Sequence, residues 1–363
     1  MPHPAFPPVE ILDQAQTAWS STLQPAGCAR CKQAHLVEAA RIEQVCPSCG
    51  RGVLEAQPAL LRPEPPELLV PFRKAQSDLY PILDHFVNQV WFRPNALNPM
   101  ALLQQVVPVY WPVWLVDGDM TADWQAEVGF DYQVRSSQES YRGEGWQTRQ
   151  VVETRIRWEP RAGLVDRHYD NITAPAISDQ ERLAGLVGDY ALNEAVAFAA
   201  DQVSQAVVRI PDQNPANAWP LAQPKFVQAA ADECRRAAGG QHIRNFTLHA
   251  NYQSLHWTQL LLPFYFTYYR DDHGHAHPIY INGQTGKIGG RRVASQRKGW
   301  LWSGILLGCA IVALVMGLLC LALASFFPPL VGIGAVLQVL AFLIALGAIV
   351  PAVWSWQWNR TQD

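Results

Sequence analysis

The chain has 363 residues, with 28 Lys and Arg against 31 Asp and Glu, for a net charge of −3. That balance excludes a strong basic field able to hold nucleic acid without sequence preference, and the length allows a small module and one or two ordinary domains beside a membrane segment. The 7 cysteines do not read as a disulfide framework: four cluster near the N-terminus, Cys234 stands alone, and Cys309 and Cys320 fall in an apolar run, which fits a reducing compartment.

Residues 1–24 are Pro-rich and show no apolar h-region, so no signal peptide is expected. Glu10 to Ser20 reads as a short helical stretch. Residues 25–54 then carry Cys28-Ala-Arg-Cys31 and Cys46-Pro-Ser-Cys49-Gly50. Each CxxC forms a knuckle that aims two thiolates at one point, and two knuckles complete a tetrahedral site. Zinc is the expected ion, held by Cys28, Cys31, Cys46 and Cys49, with a rubredoxin-type iron as the lesser alternative. Four thiolates close the coordination shell, so the role expected of this zinc ribbon is structural. Arg30, Lys32, Arg41 and Arg51 decorate it but are offset by Glu38, Glu43 and Glu55, which argues against nucleic acid as its partner.

Residues 55–71 carry Pro58, Pro63, Pro65, Pro66 and Pro71 and read as a stiff linker. Residues 72–290 read as an α+β domain. Leu79, Leu83, Phe86, Val87 and Val90 mark a core-facing helix that ends before Pro94. Strands are expected at Val106 to Val116 (broken by its prolines), Trp124 to Val134, Trp146 to Trp158 and Leu164 to Ile172, with a turn at Arg161-Ala-Gly163. A capping box, Ser178-Asp-Gln-Glu181, is expected to open a long Ala-rich helix reaching about Val208, and Lys225 to Ala238 a second one stopped by Gly239-Gly240. Ile243 to Tyr252, Leu260 to Tyr269 and Pro278 to Asn282 return to strand, with turns at Asp271 to Gly274 and at Asn282-Gly283. The segments Trp111-Pro112-Val-Trp-Leu and Leu262-Pro263-Phe-Tyr-Phe echo each other, which suggests two related β-units; their aromatics (Trp111, Trp114, Phe264, Tyr265) read as core before interface.

From Gly299 to Asn359 there is no charged side chain. Two apolar runs, 300–327 and 331–356, are separated by little more than Pro328-Pro329, and each is long enough to span about 30 Å of hydrocarbon. They read as a two-helix transmembrane hairpin. Arg291, Arg292, Arg297 and Lys298, in a basic juxtamembrane segment at 291–299, and Arg360, in a tail at 357–363, place both flanks in the cytoplasm by the positive-inside rule. In that topology the glycosylation sequons at Asn171 and Asn245 are silent. Trp300, Trp302, Trp354, Trp356 and Trp358 gather at one interface. Gly304-Ile-Leu-Leu-Gly308 is expected to pack one helix on the other, with self-association or pairing with another membrane subunit as the alternative. The spans carry none of the ionisable residues that ion and proton pathways need, so they read as an anchor.

No catalytic constellation is found. His273, His275 and His277 read as a solvated hairpin tip rather than a metal site, Gly283-Gln-Thr-Gly286-Lys287 is too short for a phosphate-cradling loop, and Cys234 reads as an inert thiol.

The order of segments resembles the bacterial zinc-ribbon membrane proteins often labelled TFIIB-type or primosomal-protein-like. The matching residues are Val70-Pro-Phe72, Val109-Tyr-Trp-Pro-Val-Trp-Leu115, Leu261-Leu-Pro-Phe264 and Asn282-Gly-Gln-Thr-Gly-Lys-Ile288. Members are often encoded beside SPFH-domain and phage-shock proteins, and some carry two ribbons where this chain has one. The resemblance implies a non-enzymatic membrane scaffold that recruits a protein partner such as an SPFH oligomer. Two rival functions compete with it: a membrane-tethered nucleic-acid-binding module, and a membrane enzyme using the His-rich hairpin.

Overall fold

A computed structural model describes residues 10–12, 23–57, 59–61, 65–143 and 145–362. The first strands are β1 (Glu10–Leu12), β2 (Gln24–Cys28), β3 (Ala34–Val37), β4 (Leu54–Ala56), β5 (Ala59–Leu61) and β6 (Leu68–Leu69). Helices α1 (Leu79–Asn88) and α2 (Pro99–Gln104) lead into β7 (Val107–Arg142) and β8 (Gly145–Pro175). After these come α3 (Gln180–Val187), β9 (Val196–Ala197), α4 (Ala200–Val203), β10 (Val207–Arg209) and α5 (Pro215–Ala238). The soluble region closes with β11 (His242–Arg270), β12 (Ala276–Asn282) and β13 (Ile288–Gly290). Three helices end the chain: α6 (Gln296–Leu323), α7 (Leu330–Gly347) and α8 (Val350–Thr361).

One mixed sheet organises the α+β region. Its path runs β13-β12-β11-β7-β10-β3-β2-β4, and β8 adds to β7 alone. The two echoed segments are neighbours in this sheet: Trp111 lies opposite Leu262 and Pro112 opposite Leu261. Their aromatics are core, with Trp111, Trp114, Phe264 and Tyr265 all buried.

The strands are far longer than the expected pieces. β7 has 36 residues, β8 31 and β11 29, so β7 covers about 120 Å of contour at 3.3 Å per residue. The prolines do not break β7. Pro112 sits where its edge passes from β10, paired to Val109 and Tyr110, to β8, paired from Val113, and a residue without an N–H is tolerated at such a changeover. Arg161 to Gly163 does not turn either; these residues pair with Ala126 to Trp124, and a Cβ on Gly163 would meet the Trp124 indole at 2.9 Å. Bulges relieve the register, and left-handed residues mark them: Asn171 at φ 58°, Asn245 at 52° and Ser254 at 53°.

The single Ala-rich helix is replaced by shorter pieces. Gly188, at φ 72°, stops α3, and Val207 and Val208 leave helix for β10, buried between β7 and β3. Strand burial outweighs intrinsic helix propensity here. The capping box does not form, because Ser178 donates its N–H and hydroxyl to Asp212 while Asp179 takes the N-cap position. α5 starts ten residues before the expected Lys225, capped by Asn214, and Ala218, Ala222, Phe226 and Ala230 form its buried stripe against β8 and β11. It ends at Gly239 in the left-handed conformation, as the Gly pair predicts.

The Pro-rich stretch does not run free of the sheet. Leu68 and Leu69 pair in parallel with Leu260 and Leu261, and Leu69 and Val70 are fully buried. Glu10–Leu12 is strand rather than helix, paired with Ala59–Leu61; the rest of the expected helix, Asp13 to Ser20, lies outside the described residues.

Helices α6 and α7–α8 are two helical stretches long and apolar enough to cross a membrane. α6 extends about 42 Å at 1.5 Å per residue. Pro351 lacks the N–H that would continue the ladder, and the regular helix is interrupted at Ala348 and Ile349 between α7 and α8. The hairpin closes at Gly317 against Gly334 and at Gly299 against Ser355, not at the expected motif. A Cβ on Gly304 or Gly308 would meet nothing within 4 Å, so that GxxxG does not pack α6 on its partner.

Candidate metal centre

The four cysteines converge through local backbone geometry. In each knuckle the residue after the second cysteine turns left-handed: Lys32 at φ 61° and Gly50 at 63°. Lys32 N–H donates to the Cys28 carbonyl at 2.8 Å and Gly50 N–H to that of Cys46 at 2.9 Å. Backbone amides also aim at sulfur, Ser48 to Cys46 Sγ and Gly52 to Cys49 Sγ, each at 3.4 Å. Such bonds favour the charged thiolate. Strands β2, β3 and β4 hold the knuckles in place.

All four Sγ atoms lie within 4.8 Å of one another, with Cys28–Cys49 at 3.9 Å and Cys31–Cys46 at 3.7 Å. A tetrahedral ion with metal–sulfur bonds of ~2.3 Å needs sulfurs about 3.8 Å apart, so the donors fit one metal ion. Cys28 and Cys46 are buried, and Cys31 and Cys49 are half-buried. Hydrogen bonds from Cys31 and Cys46 push the Cys49 thiol well below its ordinary range, while that with Cys31 pushes Cys46 up.

Gly52 was not singled out in the sequence, yet a Cβ there would stand 2.3 Å from Cys28 Sγ. Only a residue without a side chain lets the backbone pass so close to the sulfur.

Behind the cluster lies a polar layer that no motif announced. His35 is buried, its Nε2 2.9 Å from Ser48 Oγ. Burial, and next the Arg209 guanidinium, lower its pKa from 6.5 to about 3, so it stands neutral. Arg209, 1% exposed, meets Asp179 at 2.5 Å and Asp212 at 3.6 Å, and donates to Gln33 through Nε at 2.9 Å. Gln33 and His35 flank the first knuckle, while Asp179 caps α3 and Asp212 lies between β10 and α5, so this layer ties the four-cysteine segment to the rest of the protein. Tyr280 hydroxyl donates to the Ser48 carbonyl at 2.8 Å, and Gly50 rests on Phe266 and Tyr268. Cys28, Cys46 and Leu54 share one core cluster with Trp111, Phe264 and Tyr280.

The remaining sequence candidates separate from this centre. His277 is not part of a solvated tip: it is buried, with Nε2 3.0 Å from Asp271 Oδ2, while exposed His275 lies 3.4 Å from the same oxygen. Among the described residues, the four cysteines form the one group of three or more such ligands close enough to share an ion. Asn282 to Lys287 is a structural turn, in which Asn282 Oδ1 accepts from the Gln284 and Thr285 amides at 2.8 and 2.9 Å. Cys234 is buried in α5, and desolvation raises its pKa, as befits an inert thiol.

The helical hairpin is seated on the same body. Trp354 stacks on Trp91 at 5.3 Å, Trp358 donates to the Arg292 carbonyl at 2.7 Å, and Asn359 bonds both the amide and the carbonyl of Ala294. Trp354 and Trp358 thus pack on protein, whereas Trp300, Trp302 and Trp356 stay exposed. Lys298 Nζ donates to the Arg93 carbonyl at 2.7 Å. Comparison of the chain with protein-family models, with curated proteins and with solved structures returns no match.

Proposed function

We propose that this protein is a non-enzymatic scaffold, held at the cytoplasmic face of the inner membrane by α6 and α7–α8, with a zinc ion in its four-cysteine site and a protein partner of the SPFH type. The observation that carries this reading is continuity. The sulfur cluster, the central sheet and the base of the hairpin share packed side chains and hydrogen bonds, so the ribbon is a fixed feature at a set distance from the apolar helices. A four-thiolate set leaves no position for substrate, and zinc in it would supply folding energy to a small segment. The basic residues before α6 and Arg360 after α8 favour both termini in the cytoplasm, where thiols stay reduced.

A pull-down of the full chain in mild detergent tests this reading, with protein, nucleic acid and metal quantified together. One enriched membrane-associated oligomer and about one zinc per chain is the expected outcome. Nuclease-sensitive nucleic acid with no protein partner would replace the scaffold by the nucleic-acid module. A reporter placing Asp363 outside the membrane would overturn the topology and, with it, the argument for a reduced zinc site.

A further inference from the structure

β8 pairs with β7 and with no other strand among the described residues. β11 leaves β7 at Gly129, so residues 130–142 and 145–157 continue as a two-stranded ribbon of about 40 Å. Such a ribbon is marginal in water by itself. An open strand edge is a template for another chain, and natural edges are commonly blunted with lysine. β8 carries no lysine and, before Pro160, no proline, the other residue that blunts an edge; Trp146, Val152 and Ile156 on one of its faces are 70%, 54% and 39% exposed.

The order of side chains along this edge selects the partner. We propose that the free edge of β8 pairs antiparallel with β8 of a second copy, over residues 149–159, about a twofold axis at Thr154. In that register Arg149 faces Glu159 and Glu153 faces Arg155 on one side of the sheet, twice each. On the other side Val152 faces Ile156 and Gln150 faces Trp158. Opposite-charge and apolar cross-strand pairs stabilise a sheet, and like charges directly opposite destabilise it.

Neighbouring registers lose this match. An axis at Glu153 sets Glu153 against itself and Arg149 against Arg157, and one at Arg155 sets Arg155 against itself and Arg149 against Arg161. Axes at Val152 and Ile156 oppose Arg149 to Arg155 and Glu153 to Glu159, respectively. The self-complementarity at Thr154 identifies a second copy of this chain as the occupant. The inference is independent of the four-cysteine site and of any recruited protein.

Cross-linking of the full-length protein in isolated membranes tests it. Directly opposed antiparallel residues have Cα atoms about 4.5–5.5 Å apart, within reach of a disulfide, so oxidised Thr154→Cys is expected to give about tenfold more covalent dimer than the unaltered chain. Val151→Cys and Arg157→Cys should each give little alone and a strong heterodimer when co-expressed. Adding Arg149→Glu to Thr154→Cys should lower the dimer, and adding Glu159→Arg as well should restore it. Metal content and melting temperature, unchanged across the set, show that the variants fold. Dimer at background for Thr154→Cys, equal self-cross-linking at positions 151 and 157, or cross-linking chiefly to a different protein would each overturn the proposal.

Discussion

The four-cysteine end (the ribbon end, in the reading proposed for it) and the distal arm of β7 and β8 are parts of one sheet with opposite patterns of burial. At the ribbon end, β3 and β10 are short but packed closely: Leu36, Val37, Val207 and Val208 are buried, and the sulfur cluster supplies a further point of attachment. Beyond Gly129 the strands are long and regular, yet Tyr141, Trp146 and Val152 are more than half exposed. Strand length and hydrogen-bond regularity therefore say little about where stability resides. Apolar area removed from water, at about 25 cal/mol per Å², concentrates it near the ribbon. Perturbations should accordingly be severe at one end and mild at the other.

The largest effect is expected at the sulfurs. Cys46→Ser should abolish stoichiometric metal binding and expose residues 25–56 to protease, since a structural site couples metal affinity to folding. Metal analysis with limited proteolysis of the full chain reads both; full metal retention would exclude a four-sulfur site. Next comes Arg209→Met, which leaves Asp179 and Asp212 without their buried cation. A loss of about 3 kcal/mol is expected in denaturant unfolding, because removing one member of a buried ion pair strands the other. A loss within about 0.5 kcal/mol would show that Arg182 alone satisfies Asp179.

A smaller, pH-dependent effect is expected at Asp271. Burial raises its pKa, but the hydrogen bond from His277 and the His275 and His273 amides prevail and hold it at about 2. A depressed carboxyl contributes stability that is full above its ordinary value near 3.8 and is lost as pH falls through 2. Asp271→Asn should therefore lower stability near neutrality and flatten the acid limb between those values. An unchanged acid limb in thermal melts from pH 5 to pH 2 would remove the residue from this role.

The smallest effect is expected from the arm. Joining Phe130 to Arg157 through Asn-Gly removes the distal ribbon at a paired position and supplies a two-residue hairpin turn. Metal content should be retained and, at a protein concentration where the chain is monomeric, the unfolding free energy should change by under about 1 kcal/mol. A large loss would mean that the arm stabilises its own body, and the contrast between the two ends would fail.

Sequence patterning by itself determined the elements whose signals are local. The CxxC pairs place four sulfurs through two knuckles, the uncharged stretch from Gly299 to Asn359 is apolar enough to forecast helices, and Gly239 ends α5 without tertiary help. Long-range competition decided the rest. Only the sheet could turn the Ala-rich segment after Ser178 into β10, merge strands across Pro112 and Gly163, draw Leu69 of the Pro-rich stretch into the core, and seat Arg209 behind the cysteines. Packing of α6 on α7 likewise decided that Gly304 and Gly308 stay unused within the hairpin while Gly317 and Gly334 meet. Propensities and spacings act within a few residues, whereas burial and pairing weigh partners far apart along the chain, and a few kcal/mol of buried area outweighs the tenths that local preference supplies.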